Sequence, residues 1–495
     1  MNILIIILST LTIATPSHEN LTLKSALGKA ISNSSTLREK YHMIEIQKGL
    51  KKVEKGQFDV MYQATLNTSY MNSEPVGGSF MSVTGQKSIS LDFGISKRLS
   101  SGGVISLKSS NSWNSTEQII DMSSMTGNTA LSEIDTTTKK GSLLFSISHP
   151  LLAGMGTEIN QAQIKKVEKN VEIEELNFQI AAENLVRDVA VAWMDLDLAW
   201  KQLRVHQSSL KSMKVQLENT KILIEAGMGK KSDLLAVQSA LAQKKLDYTM
   251  AENVIVKASL KLADLMGVKI AGGFKPYKPV SVFALEVNVS NLVKKSIKRS
   301  KGLLVLKKQL ENNNLDMKVA RNSLLPRVDF NITAGPSIES ERFVDTVKNL
   351  YKFNGYMVGA GISVSGVFER RSAKGNVDRV RASSELIKIK KDKVENQLAM
   401  SAVLSETDYK SAGKMILAAE LAVKAAAIHL ENEILLFKSG KSTNHSILLR
   451  MTELDVAKLS LERARHDQNV AMQQIMALSG EILPKYGIKN ISENR

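Results

Sequence analysis

Two stretches of about 70 residues, Gly154 to Ala226 and Glu369 to Ser439, contain no proline, and after Gly156 their only glycines are Gly375 and Gly413. A helix of that length rises 1.5 Å per residue and reaches roughly 105 Å. Globular domains do not house helices so long. The chain must therefore pair these helices along their length with one another or with other chains.

The pairing is written in the apolar spacing. Leu196, Leu203, Leu210, Leu217 and Ile224 recur every seven residues, and Leu234, Leu241, Tyr248, Ile255 and Leu262 form a returning line. Ile416, Val423, Leu430 and Phe437 repeat the pattern, with Ile447, Leu454, Leu461 and Ile475 returning and Gln468 interrupting. A seven-residue period keeps one seam facing a partner helix and winds left-handed. The spacing predicts two antiparallel helical hairpins, over 154–266 and 368–479. Their turns fall at Gly227-Met228-Gly229 and Ser439-Gly440-Lys441, where glycine suits a helix cap with positive φ.

Between the helices the period drops to two. Tyr62, Ala64, Leu66, Thr68 and Tyr70 alternate with small polar residues, as do Ile89, Leu91, Phe93 and Ile95. Ile105 and Leu107, then Leu143, Phe145 and Ile147, continue the pattern, and Val328 to Ala334 and Val358 to Val364 repeat it later. Strands with one apolar and one polar face fit a membrane barrel or a half-buried soluble sheet. The reading favours the barrel, because the start of the chain looks like an export signal. Ile3 to Ile13 is too short to span a bilayer and ends in the small residues Thr12-Ile13-Ala14, although no Lys or Arg precedes it. Residues 1–14 are expected to be a signal peptide. No later stretch is long and apolar enough for a transmembrane helix.

The whole pattern occurs twice. What opens at Leu21 reopens at Val287, an offset of 266 residues at which Ile31 meets Ile297, Leu37 meets Leu303, Val53 meets Val319 and Leu66 meets Ile332. The expected organisation is a first repeat over 15–271, a proline-containing linker over 272–289 and a second repeat over 290–495.

Composition narrows function by exclusion. There is no cysteine, hence no disulfide, thiolate metal site or lipidated cysteine. The net charge of +17 raises nucleic acid as a partner. The basic residues are spread along helices without interleaved aromatics, so none is expected. Gly229-Lys230-Lys231-Ser232 and Gly440-Lys441-Ser442 lack the earlier glycine and the leading strand of a phosphate loop. The seven histidines show no metal spacing, the methionines are scattered, and no nucleophile elbow is present. No catalytic residue, cofactor or metal is expected, and the chain does not read as an enzyme.

Three motifs in this order resemble the TolC-type outer-membrane efflux proteins. Leu21-Thr22-Leu23-Lys24-Ser25-Ala26-Leu27, continuing to Ser34-Ser35-Thr36-Leu37, resembles the family's opening. Phe145-Ser146-Ile147-Ser148-His149-Pro150-Leu151-Leu152-Ala153-Gly154 resembles the strand that enters the first long helix. Glu225-Ala226-Gly227-Met228 through Ser232-Asp233-Leu234-Leu235 resembles the family's hairpin turn, as does Ser439-Gly440 through Leu448-Leu449.

The resemblance implies an α+β membrane protein: a trimeric β-barrel in the outer membrane, continued by an α-helical coiled-coil barrel that crosses the periplasm. It implies passive conduction for a tripartite efflux or type I secretion system, with an adaptor protein and an inner-membrane transporter as partners and outer-membrane lipid around the barrel. The expected docking residues are Gly227, Met228, Lys230, Ser232, Gly440, Lys441 and Thr443. The expected periplasmic gate is Asp233, Ser446, Leu449 and Arg450, with Asp233 pairing Arg450 across neighbouring hairpins. Some members carry an acidic ring at the second turn, where this chain has Ser446 and Leu449, and the family often has proline where it has Gly366.

Family members usually contribute four strands. Here Lys87 to Trp113 reads as an additional hairpin with its turn at Ser100 to Gly103, followed by a long polar loop over Asn114 to Lys140. Six strands per chain give a barrel of about 18, and four give 12 with the hairpin as an ornament. The competing function is a periplasmic coiled-coil scaffold without a pore.

Overall fold

The computed structural model describes residues 19–75, 79–121, 131–227, 229–269, 273–277, 288–340 and 355–488. The expected signal peptide, Met228 and most of the linker lie outside them. In chain order the elements are β1 (Glu19–Leu21), α1 (Leu23–Asn33), α2 (Ser35–Gly56), β2 (Val60–Asn72), β3 (Met81–Arg98), β4 (Val104–Asp121) and β5 (Leu131–Pro150). The first hairpin follows as α3 (Thr157–Asn160), α4 (Ala162–Glu225) and α5 (Lys231–Met266), and then β6 (Phe274–Pro276). The second half holds α6 (Val289–Arg299), α7 (Lys301–Asn322), β7 (Arg327–Ser340), β8 (Tyr356–Ser365), α8 (Arg371–Lys438), α9 (Asn444–Leu478) and α10 (Ile482–Lys485).

Element boundaries in the two halves coincide at the 266-residue offset: α1 with α6 and α2 with α7, at both ends. The caps coincide as well. The Thr22 side chain accepts from the Ser25 amide, and Asn288 accepts from Asn291. Ser34 and Ser300 accept from the amides of Leu37 and Leu303, both at 3.2 Å. Each of these caps satisfies an amide that the first helical turn leaves without a partner.

The chain divides into two compact units. The first comprises Met1–Ile44, Ile173–Leu306 and Ile389–Arg495. Its core gathers Leu23, Ala26, Leu27 and Ala30 of α1 with Val186, Val189, Trp193 and Leu196 of α4, Leu262 and Met266 of α5, and Met472, Ile475 and Met476 of α9. β1 and β6 pair in parallel within this unit. Trp193 and Trp200 stand on that ribbon, seven residues apart on one face of α4. The Trp193 indole donates to Leu21 O at 3.2 Å and the Trp200 indole to Phe274 O at 2.9 Å. A buried indole needs such an acceptor. So the expected linker contains a short strand, β6, that pairs with the first strand of the chain.

The second unit comprises Glu45–Glu172 and Lys307–Lys388. Its antiparallel sheet has the order β2-β3-β4-β5-β7-β8. The expected extra hairpin is β3–β4, and it lies inside the sheet between β2 and β5, not beside it as an ornament. The expected loop over Asn114 to Lys140 is largely strand: Asn114 pairs with Thr138, Ser115 with Thr137 and Asp121 with Leu131. Threonine and backbone pairing extend the strands past the point where apolar alternation stops. Helices of this unit are tied by charge: Lys51 to Glu168 at 3.2 Å, Lys166 to Asp316 at 2.7 Å and Lys308 to Glu172 at 2.5 Å.

Register brings one row of side chains across all six strands. Tyr62 pairs Ile95, Ile95 pairs Leu107, Leu107 pairs Phe145, Phe145 pairs Ala334, and Ala334 pairs Val358. One residue over, Met61, Ser96, Ser106, Ser146, Thr333 and Gly359 make the neighbouring row on the opposite face. The Ser146 and Thr333 hydroxyls are 3.0 Å apart. The apolar row is open: Tyr62 is 81% exposed and Val358 70%.

Trp193 is fully buried. Trp193→Ala is expected to lower stability by about 3–5 kcal/mol through the cavity it leaves, read as a lower midpoint for loss of helical signal in urea. An unchanged midpoint would contradict this account of the first unit's core.

Candidate functional site

The hairpin turns are capped as their glycines require. α4 closes with the Gly227 amide on Ile224 O at 3.0 Å, and Gly227 has φ of 73°. At the second turn the Gly440 amide reaches Phe437 O at 3.0 Å, the Lys441 amide reaches Leu436 O at 2.8 Å, and Gly440 has φ of 75°. This pair of bonds satisfies carbonyls that the helix end orphans. Thr443 then starts α9 by accepting from the Ser446 amide at 3.2 Å. Lys230 precedes α5 without a side-chain capping bond, and Asp233 supplies the acidic first turn that the helix dipole favours. Gly227, Lys230, Ser232, Gly440, Lys441 and Thr443 are all exposed. Met228 lies outside the described residues.

At the expected gate, Asp233, Ser446 and Arg450 are half-buried and Leu449 is 47% exposed. Within the chain Arg450 pairs with two other carboxylates. Its guanidinium lies 2.8 Å from Glu453 and 3.9 Å from Glu433 of the same hairpin. The Ser442 hydroxyl also donates to Glu433. From sequence the carboxylate expected for Arg450 is Asp233, and Glu433, which sits on the descending helix across the turn, is not found. The signal was available: antiparallel register about the turn at Gly440 brings position 433 beside position 450.

The described residues also show a contact between the hairpins that the apolar lines did not reveal. Near its turn α4 buries Ser209, Met213, Gln216 and Thr220, while Leu210 and Leu217 are half-buried. The buried stripe meets α9. Gln216 Nε2 donates to Asn444 Oδ1 at 2.6 Å, with the Thr220 hydroxyl 3.2 Å from the same oxygen. One rung further, Asp455 accepts from the Ser209 hydroxyl and from Lys244 of α5 at 2.7 Å. Lys201 then bridges Asp197 at 3.1 Å and Glu462 at 3.3 Å. In the last rung His466 meets Asp195 at 2.9 Å and Asp467 at 3.0 Å, and Lys261 joins Asp195 at 3.0 Å. A helix flanked by two neighbours needs two seams. α4 uses an apolar line for one and this polar ladder for the other.

The last rung titrates. Burial pulls the His466 pKa down, but hydrogen bonds to Asp195 and Asp467 outweigh it and hold the imidazole above its ordinary value. Burial pushes Asp195 up, and the bonds from His466 and Lys261 more than reverse this, so its pKa is lowered. The histidine's contribution is complete below about pH 6.5 and lost as pH rises through its raised folded value. The aspartate's is complete above about pH 4 and lost as pH falls through its lowered folded value. The helical melting temperature is therefore expected to be highest at roughly pH 4–6.5 and to decline toward pH 9. His466→Gln should flatten the alkaline decline, and an identical decline in the variant would exclude this rung as its source.

Comparison with known proteins places this arrangement. Residues 107–268 match the family model described as outer membrane efflux protein. No curated protein matches the sequence. Among solved structures, the outer-membrane channel OprN aligns with a TM-score of 0.69 at 14% identity, covering 93% of this chain and 90% of that one. The Campylobacter jejuni CmeC outer membrane channel aligns at 0.65 and 10% identity, covering 93% and 85%. The outer membrane protein VceC from Vibrio cholerae aligns at 0.65 and 12% identity, covering 92% and 96%. At these identities the likeness is one of fold. The TolC-type outer-membrane efflux proteins are thus the family this chain resembles, in a matched sequence segment and in fold, and they are channels, not enzymes.

Proposed function

We propose that the chain is one protomer of a trimeric duct that conducts substrates passively from an inner-membrane pump across the periplasm and outer membrane. The observation that carries this reading is the apolar row from Tyr62 to Val358, backed by the row of small residues from Ser96 through Ser106, Ser146 and Thr333 to Gly359. A sheet with an exposed apolar face suits hydrocarbon outside and water inside. Among the described residues its end strands β2 and β8 each lack a partner on one side, and no open edge survives in a bilayer. Three copies joined edge to edge close a barrel of about 18 strands, an even number. The coincident boundaries and caps of α1 with α6 and α2 with α7 support descent from two repeats.

The turns serve as the docking surface for a periplasmic adaptor, since exposed turns on rigid helices commonly bind partners. Asp233, Ser446, Leu449 and Arg450 line the gate. Its acidity is offset in part, because Arg450 lies against Glu433 and Glu453. Tripartite efflux and type I secretion both fit a duct of this kind.

The mature protein is expected to sediment with outer membranes, to need detergent for release and to give a trimer by native mass measurement. A water-soluble monomer would instead support the scaffold reading. Gly227→Trp or Gly440→Trp should abolish export while leaving the trimer intact, and undiminished export would argue against docking at the turns. In single-channel recordings a trivalent cation on the periplasmic side should block weakly. Block should strengthen in Arg450→Gln, which releases two carboxylates, and in Ser446→Asp with Leu449→Asp. Tight block of the unmodified channel would show an acidic ring elsewhere.

A further inference from the structure

Where β7 and β8 meet their helices, the second unit has an open, solvent-facing cavity of about 1060 Å³ lined by Leu325, Val367, Arg327, Arg370, Arg371 and Arg379 among others. Two of these guanidinium groups have carboxylate partners: Arg327 lies 2.6 Å from Asp329, and Arg371 lies 3.1 Å from Glu369. The other two are held by neutral acceptors. Arg370 donates to Leu324 O at 2.9 Å, and Arg379 donates to Asn376 Oδ1 at 2.9 Å. These bonds fix the direction of the guanidinium groups without cancelling their charge. Arg370 also has φ of 51°, the one positive value among the described non-glycine residues. A side chain there carries backbone strain that glycine would avoid, and strain of this kind persists where the side chain is needed.

Apolar side chains lead to this charge in order along the chain. Val364 closes the exposed apolar face at the end of β8, Val367 is 71% exposed, and Phe368 is fully exposed at 104%. Arg370 and Arg371 come next. Register sets the same order at the neighbouring strand ends, where Val328 pairs Val364 and Arg327 pairs Ser365. Aliphatic, aromatic and then cationic groups follow the chemistry of a phospholipid from acyl chain through interface to phosphate. Forked guanidinium donors suit phosphate oxygens better than ammonium groups do.

We propose that this cavity binds the phosphate headgroup of an anionic phospholipid at the helix-facing edge of the membrane. The inference rests on the duct reading, because it needs the apolar face of the sheet to lie in a bilayer. It goes beyond that reading in giving the strained arginine a ligand and in accounting for part of the chain's positive charge.

The test uses the full-length protein in mild detergent, titrated with phosphatidylglycerol or phosphatidylcholine and read by native mass spectrometry. The comparison is with Arg370→Gly combined with Arg379→Gln; glycine relieves the positive φ, so this variant keeps the fold. The wild type is expected to retain phosphatidylglycerol at least about tenfold more tightly than phosphatidylcholine, and the double variant to lose that preference. Inorganic phosphate at millimolar concentration is a separate arm. If it displaces the lipid completely and binds as tightly alone, the ligand is free phosphate and the lipid assignment is overturned. Equal binding of both lipids by the wild type, or an unchanged preference in the variant, also overturns it. If the variant falls to monomers and the wild type shows no lipid preference, the cavity is a contact between subunits. Insertion and conductance in planar bilayers separate the two levels. A wild type that conducts without lipid preference refutes this inference alone, and one that never inserts refutes the duct with it.

Discussion

A six-stranded antiparallel sheet with one exposed apolar face and two unpaired edges constrains everything else in this protein. Its backbone hydrogen bonds are satisfied between strands except at β2 and β8. Its apolar row runs from Tyr62 to Val358, and among the described residues both end members are exposed. Water disfavours that face, and a bilayer disfavours those edges. On the proposed reading, closure with identical copies satisfies the edges, lipid takes the apolar face, and the small Ser, Thr and Gly residues of the other face line the interior. None of the helices among the described residues is long and apolar enough to cross a membrane, so on this reading the sheet alone makes the crossing.

The helices meet a different demand. Hairpins of more than 30 residues per arm cannot rest on one apolar seam if each helix has neighbours on two sides. α4 shows the solution: half-buried leucines on one seam, and on the other the rungs Gln216–Asn444, Ser209–Asp455–Lys244 and Asp195–His466–Lys261. Polar rungs fix register, because an unpaired buried amide or carboxylate costs more than a slipped leucine. They also separate without exposing a large apolar surface.

Much of this was legible from spacing. Ile416, Val423, Leu430 and Phe437 are half-buried along the second hairpin and Ile447 and Ile475 buried, and the turn glycines take the positive φ their positions implied. Apolar alternation located all six strands of the sheet. It failed at their ends, since Ser115 and Thr137 pair through backbone and carry no apolar signal. β1 and β6 are three residues each, too short for any period. The polar stripe of α4 went unread because burial was inferred from hydrophobicity, and Ser209, Gln216 and Thr220 are buried for their hydrogen bonds. Glu433 was missed because its partner lies across a turn. The docking and gate assignments rest on resemblance, and the structure adds which groups surround them.

The central claim is that the sheet's two faces meet lipid and water respectively. The chain contains no cysteine, so single cysteines can be introduced one at a time at neighbouring positions. Ile95→Cys, Leu107→Cys and Phe145→Cys lie on the apolar row, and Ser96→Cys, Ser106→Cys and Ser146→Cys on the polar one. In reconstituted membranes the first set should react with a bilayer-soluble thiol reagent and resist a charged, membrane-impermeant one, and the second set should do the reverse. Equal reaction of both sets with the charged reagent would show a sheet bathed in water on both faces, and the account of this protein as a membrane duct would fail.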